Sequence, residues 1–96
     1  MSTIVLQLFI AGRTPRTDNA IATLRQLVDE HLSGYPCELV IVDVLTDPQQ
    51  AEDRQILATP TLIKESPSPQ RRIIGDLDDA DGLLAALNLP PPPPTS

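Results

Sequence analysis

Two strand-length apolar runs separated by one helix-length segment constrain this chain more than any other feature. The first run, IVLQLFI at Ile4–Ile10, is nearly continuous in apolar residues and rich in β-branched ones. It is too short for a typical helix, so it reads as a strand buried on both faces. Gly12 and Pro15 in AGRTPRT then break it. The second run, CELVIVDVL at residues 37–45, also reads as a strand. Between them, over residues 17–32, the apolar period becomes helical. Ala20, Leu24, Leu27, Val28 and His31 fall on one face, with Ile21 and Leu32 at its margin. Thr17 or Asp18 is the expected N-cap, and Gly34 and Pro36 are the stop. Two strands joined through a helix cannot pair as a hairpin. They predict a parallel pair in a right-handed βαβ unit.

The rest of the chain extends this unit. In TDPQQAEDRQILA, Asp47 suits an N-cap, Pro48 the first helical position and Gln50 a capping box, which predicts a short second helix. TPTLIKE and RRIIG read as two more strands joined by the proline-broken link SPSPQ. DLDDADGLLAALNL predicts a closing helix. Asp78 can cap it, Asp79 and Asp81 suit the positive end of its dipole, and Ala80, Leu83, Leu84 and Leu87 form its apolar stripe. The prolines that follow cannot continue a helix. One domain over residues 1–89 and an extended or disordered proline-rich tail over residues 90–96 are therefore expected. The order βαβαββα predicts an α/β, thioredoxin-like fold with a mixed four-stranded sheet in the order 2-1-3-4 and the first strand inside it.

Composition narrows the function classes. Aromatic residues are 2% of the chain, Phe9 and Tyr35, so the core must come from Leu, Ile, Val and Ala. The formal net charge is −6, from 7 basic and 13 acidic residues. That balance argues against nucleic acid and anionic membrane surfaces, and favours partners with basic patches. Cys37 is the single cysteine, so one chain offers no disulfide, CxxC pair or zinc site. It suits a reducing cytosol. The first apolar run lacks the basic start of a signal peptide, and no stretch approaches the length of a membrane span.

Chemistry-bearing constellations are absent from the pattern. GRTPRT lies where a thioredoxin-type active site would be assembled, but it has no cysteine and hence no thiolate. There is no Walker loop and no nucleophile–base pair. His31 has no second ligand in pattern, and capping explains Asp78, Asp79 and Asp81 more simply than a metal does. Asp43 reads either as an edge-facing polar group or as a buried structural carboxylate. Arg71 and Arg72 alternate sides of a strand, one suited to a carboxylate of the fold and the other to a partner. No catalytic, cofactor-binding or metal-binding residue is expected, and a binding module is the better reading than an enzyme.

Four segments carry a resemblance: LFIAGRTP, IVDVLTDPQQAE, ILATPTL and RRIIGDL. Together they resemble, in order and between Ile4 and Leu87, the corresponding segments of the KaiB family of circadian-clock proteins. The resemblance implies a non-enzymatic partner of the hexameric ATPase KaiC that regulates its phosphorylation cycle, and that also engages KaiA or a histidine kinase. It places part of the KaiC contact on the second helix, at Gln49, Glu52, Asp53 and Gln55, although the family often has lysine at the Gln55 position. It also implies two folds: a tetramer-forming arrangement, βαββααβ, and a monomeric thioredoxin-like one that binds KaiC. Thr59-Pro60 would sit where the thioredoxin-like fold usually has a cis-proline.

Two departures from the family matter. Ala86-Leu87-Asn88 stands where the family commonly has Gly-Leu-Asp, and alanine is better in a helix than glycine by about 0.8–1 kcal/mol. A proline tail replaces the family's tyrosine-bearing acidic end. Pro60, Ala86 and Asn88 are thus the expected fold-switch positions, with the monomeric fold favoured and the tetrameric one as the minor state. The alternative reading is a thioredoxin-like sensory or stress-adaptor module that does not bind KaiC.

Overall fold

Strand β1 (Ile4–Ile10), helix α1 (Pro15–His31), strand β2 (Cys37–Asp43), helix α2 (Pro48–Asp53), strands β3 (Thr61–Ser66) and β4 (Arg71–Ile74), and helix α3 (Ala80–Leu87) follow one another in the predicted order. They are seen in a computed structural model that describes residues 3–31, 34–66, 69–74 and 80–87, without the side chains of His31, Ala80, Asp81, Leu84 and Ala85. The expectations for Leu32, Asp78, Asp79, Asn88, the proline tail, and the His31, Ala80, Asp81 and Leu84 side chains lie outside the described residues.

The four strands form one sheet in the order β2-β1-β3-β4, the expected thioredoxin-like arrangement. β1 pairs parallel with β2, Leu8 opposite Ile41, and antiparallel with β3, Leu8 opposite Leu62. β4 is antiparallel to β3, with Ile73 opposite Leu62. Alternation along β1 divides its side chains between two faces. Ile4, Leu6, Leu8 and Ile10 join Ala20, Ile21, Leu24 and Leu27 of α1, Leu62 of β3, and Leu83 and Leu87 of α3 in a single aliphatic cluster. On the opposite face Phe9 and Ile63 are both fully buried. β1 therefore sits in the interior on both faces, as its unbroken apolar run requires.

Local differences from expectation are instructive. α1 begins at Pro15, ahead of the predicted start. Its cap is Thr14, not Thr17 or Asp18. The Thr14 backbone N–H donates to Thr17 Oγ1 at 2.7 Å, and the Thr17 N–H donates to Thr14 Oγ1 at 3.2 Å. Threonine takes the role that glutamate usually plays in such a reciprocal cap, and Pro15 fills the first helical position. α2 has Asp47 at its N-cap and Pro48 next, as predicted, but the Asp47 side chain makes no capping bond. The chain enters α2 through backbone bonds instead, Asp47 N–H to the Asp43 carbonyl at 2.9 Å and Gln50 N–H to the Asp47 carbonyl at 3.2 Å.

Asp43 combines the two alternatives: it is half-buried at the end of the edge strand β2, and its carboxylate has a structural role. Its Oδ1 accepts the backbone N–H of Gly12 at 3.1 Å and of Leu45 at 2.9 Å, tying the ends of β1 and β2 together. Gly12 has a φ of 74°, in the left-handed region where glycine is unstrained.

Candidate partner-binding surface

Short as it is, α2 presents a polar outer surface. Gln49, Glu52 and Asp53 are all exposed, and no residue of the helix is buried. Gln49 Nε2 donates to Asp53 Oδ1 at 2.9 Å, one helical turn on. With Asp47, also exposed, these side chains make an acidic edge suited to a basic partner surface.

The sequence pattern puts Gln55 on this helix, but the helix ends before it. Its φ is 54°, the left-handed conformation of a helix C-terminus. The Ile56 N–H donates to the Ala51 carbonyl at 2.8 Å and the Gln55 N–H to the Glu52 carbonyl at 3.1 Å. These are the two bonds of a Schellman motif, with glutamine at the position glycine usually takes. The exposed Gln55 side chain thus leaves the chain from a fixed turn, next to α2 rather than on it.

The turn is fixed by two arginines whose part in it the sequence pattern does not reveal. Arg72 of β4 donates to the carbonyl of Arg54 at 2.7 Å and of Gln55 at 3.1 Å. The expectation for it is a carboxylate or a partner, and it holds backbone carbonyls instead. Arg54 reaches across the sheet, donating to Gln7 Oε1 of β1 at 3.0 Å and pairing with Glu65 of β3. A register shift between Val5 and Leu6 passes over Glu65, since Val5 faces Ser66 and Leu6 faces Lys64. Such a bulge re-aims the side chain of the extra residue. Gln70 Nε2 supports Glu65 from outside at 3.2 Å. Nothing in a linear pattern shows that Gln7, Arg54 and Glu65 meet, because their contact depends on sheet order.

Pro60 is buried, and the Thr59-Pro60 bond is cis. Thr61 Oγ1 donates to the Ala58 carbonyl at 2.6 Å beside it. Ala86 is exposed on α3, far along the sequence from α2, and the structure does not join it to the α2 surface. Lys64 is fully buried in β3. Burial, and then the Arg71 guanidinium, push its ammonium below the usual 10.5. Burial pushes the Cys37 thiol up from 9.0, which disfavours the thiolate. Among the described residues no group of His, Cys, Asp and Glu could hold a metal ion, and no helix is long and apolar enough to cross a membrane.

Known proteins align with this architecture over most of its length. The KaiB domain matches residues 7–89. A circadian clock oscillator protein KaiB from Microcystis aeruginosa is 47% identical over 87 residues, covering 91% of this chain and 83% of that protein. The KaiB of Trichodesmium erythraeum is 46% identical over the same 91% of the chain and 83% of its own length. Among solved structures, the N-terminal domain of Synechococcus elongatus SasA superposes with a TM-score of 0.75 at 26% identity, covering 92% of this chain and 86% of that one. Chloroplastic thioredoxin z does so at 0.72 with 22% identity, covering 90% and 76%, a likeness of fold alone. The chain belongs to the KaiB family.

Proposed function

We propose that this protein is a non-enzymatic clock or timer component that binds a KaiC-type hexameric ATPase and thereby regulates its phosphorylation cycle and its output partners, a KaiA-like protein or a histidine kinase. The observation that carries the reading is the pairing of KaiB-family sequence with the thioredoxin-like fold that the SasA domain also has. The contact is assigned to the acidic edge of α2, Gln49, Glu52 and Asp53, with Gln55 beside it. The resting protein is a cytoplasmic monomer; Pro60, Ala86 and Asn88 are its fold-switch positions, and Ala86, Asn88 and the proline tail bias it toward this fold over the tetrameric one.

Mixing the protein with the KaiC homologue of its own cell and separating by size exclusion tests the reading. A co-eluting complex is expected, weakened by the double reversal Glu52→Lys with Asp53→Lys. A complex indifferent to that reversal moves the contact off α2. No complex with any such homologue favours the adaptor reading.

A further inference from the structure

On the face of the sheet that carries α1, opposite the face on which Arg54 meets Gln7, a cleft of about 270 Å3 opens between α1 and β2. Val28 of the helix and Leu39 and Ile41 of the strand make its apolar floor, all half-buried against the main core. Arg25 and Asp29 line it as well, both exposed. Residues 25, 28 and 29 share one side of a helix, and residues 39 and 41 one face of a strand. Sites for small molecules span about 300–1,000 Å3 and combine apolar walls with a few polar groups. This cleft lies just below that range, so its occupant is smaller than a cofactor.

Charges and backbone groups restrict the occupant further. Among the described residues the ion pairs are Arg13–Asp18 and Arg54–Glu65. Arg25 and Asp29 therefore present opposite charges one helical turn apart, about 5–6 Å between Cβ atoms, without neutralising each other. β2 is an outer strand of the sheet. The Ile4 N–H donates to the Pro36 carbonyl at 2.9 Å, and the Val44 N–H to the Ile10 carbonyl at 2.8 Å. Ile4 stands opposite Cys37 and Ile10 opposite Asp43. The alternation of a parallel ladder then turns the N–H and C=O groups of Leu39 and Ile41 away from β1, along the open margin of the cleft.

A peptide strand added here would use those backbone groups but would bring only neutral amides to the two charges. A free α-amino acid meets every group. Its carboxylate accepts from the Arg25 guanidinium and a strand N–H, its ammonium donates to the Asp29 carboxylate and a strand carbonyl, and its side chain covers the floor. The floor is aliphatic, so a charged side chain would be desolvated there without a partner. We propose that the cleft between α1 and β2 is a binding site for a free branched aliphatic amino acid, held between Arg25 and Asp29 over Val28, Leu39 and Ile41. The site is separate from the α2 surface and does not depend on the KaiC-type reading.

NMR titration of the isotope-labelled full chain with L-leucine tests it. Saturable shifts of the amides of residues 25, 28, 29, 39 and 41 are expected, with a Kd of about 1 mM, the strength that so few ligand atoms reach in an open site. Isocaproate, which lacks the ammonium, and isopentylamine, which lacks the carboxylate, should each bind about tenfold more weakly. L-Glutamate should not saturate the site. Arg25→Gln and Asp29→Asn should each raise the Kd for leucine about tenfold at unchanged thermal stability, because both side chains are exposed. Should either variant unfold, the comparison of leucine with its two half-ligands on the wild-type protein still decides. Absence of saturable shifts at these residues overturns the proposal. So does half-ligand binding as tight as that of leucine, which would leave only an apolar surface. A blocked pentapeptide of alternating valine and threonine that binds more tightly than leucine, and equally well to both variants, would make the margin a strand-pairing edge and overturn it too.

Discussion

Gln55 occupies a backbone conformation that residues with a Cβ avoid, at a cost of roughly 1–2 kcal/mol. Nothing in its immediate sequence signals this, because the sign usually read for a helix end is glycine. The consequence is testable. Gln55→Gly should stabilise the protein by about 1 kcal/mol, less the entropy that glycine adds to the unfolded chain. Urea unfolding at constant m-value measures it, and a loss of stability would mean that the Gln55 side chain contributes more than its backbone costs. Lys64 and Cys37 give a second prediction, in pH. The folded Lys64 releases its proton below 10.5, so between that lowered value and 10.5 the unfolded chain holds more protons and stability rises with pH. Cys37 acts in the opposite sense, because its folded pKa is raised above 9.0, so its share of stability falls as pH climbs from 9.0. In a Cys37→Ala background, urea midpoints should therefore climb as pH approaches 10.5. A flat profile would show that Lys64 titrates alike in both states.

Elements are legible where their signal is periodic and less so where it depends on one side chain. α1 shows itself through Ala20, Leu24 and Leu27, which are all buried. Its start is harder to place because a threonine pair caps it. Thr17 looks like an N-cap when it is in fact the reciprocal partner, three residues on. Thr14→Ala should cost about 1 kcal/mol, and Asp18→Ala should cost less, since among the described residues the Asp18 side chain pairs with just the exposed Arg13 guanidinium, at 2.6 Å. Equal losses from the two variants would return the cap to Asp18. The α2 surface is half legible. Its exposed polar residues follow from the pattern, but the clamp that fixes its end draws on β1, β3 and β4 at once. Contacts between residues as distant as Gln7 and Arg54 are set by strand order, and no local period encodes them.

At the scale of the molecule, strand order is legible because a parallel pair needs a crossover and the longest apolar run belongs in the interior. The proposed balance with a second fold is a different matter, since such a balance turns on differences of a few kcal/mol. Ala86 lies exposed in α3, so Ala86→Gly removes about 0.8–1 kcal/mol of helix preference and little packing. A second set of NMR resonances in slow exchange is the expected result if the tetrameric arrangement lies close by. Unchanged spectra, with stability merely lowered, would set that arrangement out of reach. Light scattering of the wild-type protein should return the mass of a single chain.

The place of β1 inside the sheet also bears on how the protein is made. β1 leaves the ribosome ahead of β2 and β3, both of which assemble on it, and one of its two edges has no neighbour until β3 arrives. Phe9 must wait for Thr61. At about 5–20 residues per second, that is a delay of several seconds for an apolar strand with an open edge. Gln7, the one polar residue in that run, is then the sole interruption to its stickiness. Before it ever receives Arg54, this glutamine is the one point at which the waiting strand offers a polar side chain.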